Sequence, residues 1–183
     1  EAEANGDDDN DADSVNSFSF TTPVGSNLLV ACLIFNPDSE TVSSIKYNNV
    51  DLTQRVSADH SVQNQSVEIW TLASPTTGAN TLAVTFSAGT KSMAQIYALS
   101  GTNSESPVDA TTTDETGAAS TQSKAVTTNN ANSLLIDCQG QATNSTGSPD
   151  AGQTEQVDTI YAAASRSARS STRVTTTAGS YTM

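Results

Sequence analysis

The sequence predicts an all-β protein: an antiparallel β-sandwich of jelly-roll-like kind, with an internal pseudo-duplication and one strand short at its carboxyl end. Three observations predict it. Apolar residues alternate with period two along most of the chain, and helical periodicity is never sustained. Thr, Ser, Asn and Gln fill much of the rest, and Thr suits a pleat with one wet face. The stretch "SNLLVAC" at Ser26–Cys32 is written again as "NSLLIDC" at Asn132–Cys138.

Taken in order, Glu1–Ala4 ("EAEA") resembles the remnant of an incompletely trimmed secretion leader; the alternative is a mature terminus left by an export peptidase. Both imply a secretory route. Asp7, Asp9, Asp11 and Asp13 then alternate as in the first half of a calcium loop, which makes calcium the one cofactor to consider. Counted from Asp7, however, the places that want Gly and Glu hold Ala12 and Phe18. The competing reading is an extended, self-repelling acidic leader over residues 1–13. Residues 14–183 are read as a single sandwich domain, with pseudo-repeats 14–100 and 121–183 joined by a polar connection, 101–120.

Within the first repeat, "SVNSFSF" sets Val15 out of phase with Phe18 and Phe20, which predicts a short, kinked strand. "NLLVACLIF" (Asn27–Phe35) is apolar on both faces, which predicts a central strand covered on each side or packed at an assembly contact. Asn48-Asn49 predicts a hairpin turn between Ile45/Tyr47 and Val50/Leu52. "TQRVSADHSVQNQ" is polar and predicts an exposed loop. "SVEIWTLA" places Val67, Ile69 and Thr71 on one side and Glu68, Trp70 and Leu72 on the other. "TLAVTFS" turns Leu82, Val84 and Phe86 inward, and "SMAQIYALS" is a further strand. Gly101–Thr121 is too polar to bury and is read as a surface connection.

The second half restarts the pattern. Leu28, Val30 and Cys32 correspond to Leu134, Ile136 and Cys138; Leu52–Val56 is echoed by Gln153–Val157; "TTGANTLAV" is echoed by "TTAGSYTM". The strand ending at Phe86 is followed by "SMAQIYALS", whereas its echo reaches Met183, so one apolar strand is missing from the second repeat. A sandwich so opened invites a strand from elsewhere; a shortened chain is the alternative account. Ser14–Phe20, with Val15, Phe18 and Phe20, is the candidate donor strand.

The segments "TTPVGSNLLVACLIF", "VSSIKYNNVDLTQ", "VEIWTLASPTTGANTLAVTFSA" and "YALSGTNSESPVDATTT" together resemble a β-sandwich module widespread in secreted bacterial proteins and found in phage structural proteins. That resemblance implies an extracellular or surface-exposed binding or structural module, and a hydrophobic strand beyond the position of Met183. It carries over no catalytic residue.

Seven Lys and Arg against twenty Asp and Glu give a net charge of −13, which repels a phosphate backbone and argues against nucleic acid as a partner. No apolar run reaches the ~20 residues of a membrane-spanning helix. The single histidine, His60, has Ser57, Asp59 and Ser61 close in sequence, but adjacency in a loop does not make a catalytic triad. One His and two Cys are too few for zinc. Cys32 and Cys138, both in phase with inward apolar residues, are a disulfide candidate, or else two buried thiols. Trp70, Tyr47 and Tyr161 are candidates for stacking on a sugar, with core packing as the rival role for Trp70. Asn64 and Asn144 head N-glycosylation sequons. The function expected is a non-catalytic extracellular structural subunit, of a filament, cell surface or virion, that joins other copies of itself by strand complementation or edge pairing. A carbohydrate-binding module, with polysaccharide as partner, is the alternative, and a glycoside hydrolase a remote one.

Overall fold

The computed structural model describes residues 2–8, 13–36, 40–60, 62–103, 105–115, 121–161 and 166–183. Among these residues fourteen strands form, all pairing antiparallel: β1 (Ala2–Asp8), β2 (Val15–Thr22), β3 (Leu28–Phe35), β4 (Val42–Tyr47), β5 (Val50–Asp51), β6 (Thr53–His60), β7 (Gln65–Ala73), β8 (Gly78–Phe86), β9 (Ser92–Leu99), β10 (Ala125–Thr128), β11 (Leu134–Gln141), β12 (Thr154–Tyr161), β13 (Arg166–Val174) and β14 (Gly179–Thr182). The described residues contain no helix, and so none long and apolar enough to cross a membrane.

A large sheet in the order β1-β9-β3-β7-β6 faces an outer sheet in the order β2-β8-β4-β5. Between them lies the main core, where Phe18 and Phe20 meet Leu29, Leu33, Ile45, Leu82, Val84 and Ile96. All eight residues of β3 are buried, because its opposite face is covered as well. Leu28, Val30, Cys32 and Ile34 on that face pack toward the three-stranded sheet β11-β13-β12, against Ile136, Cys138 and Ala168. The two-stranded sheet β10-β14 lies on the far side of the three-stranded one, where the Arg173 guanidinium stacks 5.1 Å from the centre of the Tyr181 ring.

The pairing of the first half recurs in the second. There, β2 pairs with β8, β3 with β7, and β6 with β7; here β10 pairs with β14, β11 with β13, and β12 with β13. The likeness extends to irregularities. The register shifts between Gln54 and Val56, and again between Glu155 and Val157, so Arg55 and Gln156 are the extra residues of matching β-bulges. Arg55 Nε donates to Thr71 Oγ1 at 2.7 Å, and Gln156 Nε2 donates to Thr172 Oγ1 at 2.8 Å. Ser74 N donates to the Asn27 carbonyl, as Thr175 N does to that of Ser133. Equivalent positions also meet: Cys32 is bonded to Cys138 with their Cα atoms 6.0 Å apart, and a Cβ on Gly140 would lie 2.9 Å from Ile34 Cγ2. Contact of each position with its own counterpart is the mark of a two-fold relation, here between two halves of one chain.

Several elements depart from expectation. β2 carries no kink: Asn16, Phe18, Phe20 and Thr22 face inward and Val15 is 47% exposed. Asn16 holds an inward place because its amide donates to Thr90 O at 3.2 Å and also reaches Ser92 Oγ. Val15, Phe18 and Phe20 therefore belong to this chain's own sandwich, paired with β8, and are not a free donor strand. Thr53–His60 is an edge strand where a loop was expected; its outer face is wet, so it needs few apolar residues. Residues 2–8 are no solvated leader: β1 pairs with β9 and satisfies the backbone edge of the large sheet. Of the expected calcium ligands, Asp9 and Asp11 lie outside the described residues, as does the side chain of Asp7, while Asp13 precedes β2. The Asn48-Asn49 hairpin forms as expected, with φ of 48° and 64° as a type I′ turn requires.

Candidate functional site: an open strand edge in a cleft

β11 has β13 on one side only and is an edge strand among the described residues. Its alternation defines what that edge offers. Since Thr175 N bonds the Ser133 carbonyl at 2.8 Å, the odd residues Leu135, Asp137 and Gln139 exchange hydrogen bonds with β13. The N–H and C=O groups of Leu134, Ile136, Cys138 and Gly140 point the other way. In β3 the corresponding residues Leu28, Val30, Cys32 and Ile34 turn the same groups toward β9. The position that β9 occupies beside β3 is thus the one left open beside β11.

A cleft of about 870 Å³ runs along this edge. Its floor is the large sheet, with Leu28, Val30, Val67 and Ile69; Val126, Thr128 and Met183 line it from the two-stranded sheet. A further wall is formed by residues 100–103 and 106–115, pinned at two places. At one, Asn27 Nδ2 donates to Thr102 O at 2.6 Å, while its Oδ1 accepts from Thr102 N at 3.2 Å. At the other, Asp109 accepts from the backbone N–H groups of Asn129 and Asn130 at 2.7 and 3.1 Å, and these bonds hold its carboxyl below the usual range. The cleft has an apolar floor along the large sheet and a largely polar wall in residues 100–103 and 106–115.

Several polar side chains in and near it are already engaged. Asp137 accepts from Ser171 N and from Gln139 Nε2; burial pushes its carboxyl up, against these bonds. On the main-core side of β7, Glu68 is 6% exposed and accepts from Trp70 Nε1 at 2.7 Å, and burial raises it too. His60 lines the cleft and accepts from Gln63 N at 3.1 Å. Strand alternation in β6 puts Ser57 and Asp59 on the face opposite His60, and Asp59 instead accepts from Ser66 Oγ, so no triad assembles from these residues. Among the described residues no three His, Cys, Asp or Glu side chains cluster as metal ligands would.

A carboxyl held above its ordinary value binds its proton more tightly in the folded state than in the unfolded. For Glu68 and Asp137 the folded state therefore gains most below their ordinary values of 4.5 and 3.8, and the gain is lost as pH rises through the raised folded values. The exposed Asp109 acts in the opposite sense, weakly. The thermal midpoint is expected to fall as pH rises above about 4.5 through the raised folded values, and Glu68→Gln to flatten that slope; a midpoint that rises over this interval in the wild type would contradict the assignment.

The other sequence candidates do not gather here. Tyr47 is fully buried, its hydroxyl 2.7 Å from Thr22 Oγ1 and donating to Phe20 O at 3.1 Å, so it cannot stack on a sugar. Trp70 packs against the main core. The side chain of Tyr161 lies outside the described residues. Asn64 sits in the turn between β6 and β7, and Asn144 is exposed in the loop before β12. Cys32 and Cys138 form the disulfide. Sequence reasoning did not single out the cleft floor, Val67 and Ile69; the available signal was that β7 carries apolar residues on both faces.

No protein-family model, curated protein or solved structure is similar to this chain.

Proposed function

We propose that this chain is a non-catalytic structural subunit of an extracellular assembly, joined to neighbouring copies by β-strand addition at the open edge of β11. The observation that carries this reading is the row of backbone groups on Leu134, Ile136, Cys138 and Gly140, unpaired among the described residues and set in a cleft with an apolar floor. Such an edge is a template for another strand, and free edges in stable monomers are normally shortened, charged or covered. A cleft walled on more than one side favours complementation by a single strand over edge pairing of whole sheets. The disulfide supports an oxidising compartment, where such bonds persist. The net charge of −13 argues against nucleic acid as the partner.

Size-exclusion chromatography with light scattering across a concentration series, followed by electron microscopy, tests the reading. Higher-order species growing with concentration are expected in the wild type. Ile136→Pro should suppress them, since it removes an outward N–H without breaking a bond to β13. A protein that stays monomeric at every concentration would end this proposal.

A further inference from the structure

We infer that the cleft accepts one extended polypeptide strand, eight residues long, antiparallel to β11 and apolar on both faces in the pattern of β9. The inference rests on the reading of the β11 edge as a joining site and names what fits it. The two-fold relation supplies the template. In the first half β9 lies beside β3 over eight residues, Leu28 opposite Leu99 through Phe35 opposite Ser92. Its face toward the three-stranded sheet rests on β13: the Tyr97 hydroxyl is hydrogen-bonded with Ser170 Oγ, and Met93 packs with Ala168. Matching the pairs across the two halves, Ile69 is the counterpart of Ser170, because Val56 pairs with Ile69 as Val157 pairs with Ser170. Val67 is likewise the counterpart of Ala168, opposite Ala58 and Thr159 respectively.

The two-fold therefore says where an occupant's side chains land. Residues in the places of Met93 and Tyr97 come down on Val67 and Ile69, and both of these line the cleft. Serine at position 170 meets a tyrosine hydroxyl, whereas isoleucine at 69 meets no polar group well, so the occupant wants an aliphatic or Phe side chain in the Tyr97 place. Its other face corresponds to Ala94, Ile96 and Ala98, which point into the main core of the first half. In the cleft that face looks toward Leu135 and Val126. Charged residues are disfavoured in the middle of the strand, where they would come down on Val67 and Ile69 and where Asp137 already accepts two hydrogen bonds. An eight-residue strand spans about 27 Å, the length of β11 itself.

The probe is a fluorescent peptide with the sequence of Lys91–Ser100 and its Tyr replaced by Phe, titrated into the whole oxidised protein. Saturable binding is expected, lost for a scrambled peptide and weakened about tenfold or more by Ile136→Pro. Backbone amide exchange at Leu134, Ile136, Cys138 and Gly140 should slow on addition of peptide, a readout that needs no variant. Absence of saturable binding, or slow exchange at those four amides in the free monomer, would overturn the inference. Peptide binding by a protein that never self-associates would uphold this strand specificity and remove the self-assembly reading. Filaments from a protein that does not bind the peptide would leave assembly standing through another edge and remove this inference.

Discussion

Removing the Cys32–Cys138 bridge is expected to lower stability by about 4–5 kcal/mol, with the loss falling unequally on the two halves. The estimate follows from the chain that the bond closes, a separation of 106 residues, whose release restores a large conformational freedom to the unfolded state. The unequal effect follows from packing. The large and outer sheets share an apolar core of fifteen buried residues that the bridge does not touch. The seam between the large and three-stranded sheets is poorer, with short apolar contacts and buried polar atoms of Gln65, Gln95 and Ser167 that lack protein partners. Urea titrations of oxidised wild type and Cys32→Ser/Cys138→Ser, followed by amide exchange, should show protection lost first across β11–β13 and retained in β3 and β8. Uniform loss over both halves would mean that the seam is stronger than its composition indicates.

Leu33→Ala should cost about 2–5 kcal/mol and act on the whole molecule. Leu33 has no exposed surface, and β3 bonds β7 and β9 while its faces serve two layers. Truncation leaves a cavity between fixed neighbours, and a central strand with partners on both sides has little room to collapse into it. A chemical denaturation midpoint should drop with unchanged m-value, in contrast to the cysteine variant, where partial opening should broaden the transition. A cost below about 1 kcal/mol would imply that the core repacks freely.

Much of this was legible in the chain. The apolar run of β3 gave its burial on both faces, Asn48-Asn49 gave a hairpin with positive φ, and the twin heptapeptides gave a pairing scheme that the bulges at Arg55 and Gln156 share. What escaped notice has physical causes. Edge strands such as β6 need no apolar face, so Thr53–His60 reads like a loop. Asn16 can stand in a core position because two acceptors await its amide, and no local pattern announces them. Tyr47 looks like a surface aromatic until its hydroxyl is seen to be satisfied by Thr22 and Phe20. The open edge was legible as a missing strand, but its floor was not, because Val67 and Ile69 become a floor only when one half stacks upon the other.

The fastening of the two halves has a bearing on how the chain matures. Two thiols carried on strands far apart in sequence come together only after each half has taken its shape and the halves have docked, so oxidation registers a finished arrangement and does little to guide it. An oxidised population is in that sense one that has passed inspection, and thiol accessibility during refolding would serve as a clock for the docking of the two halves.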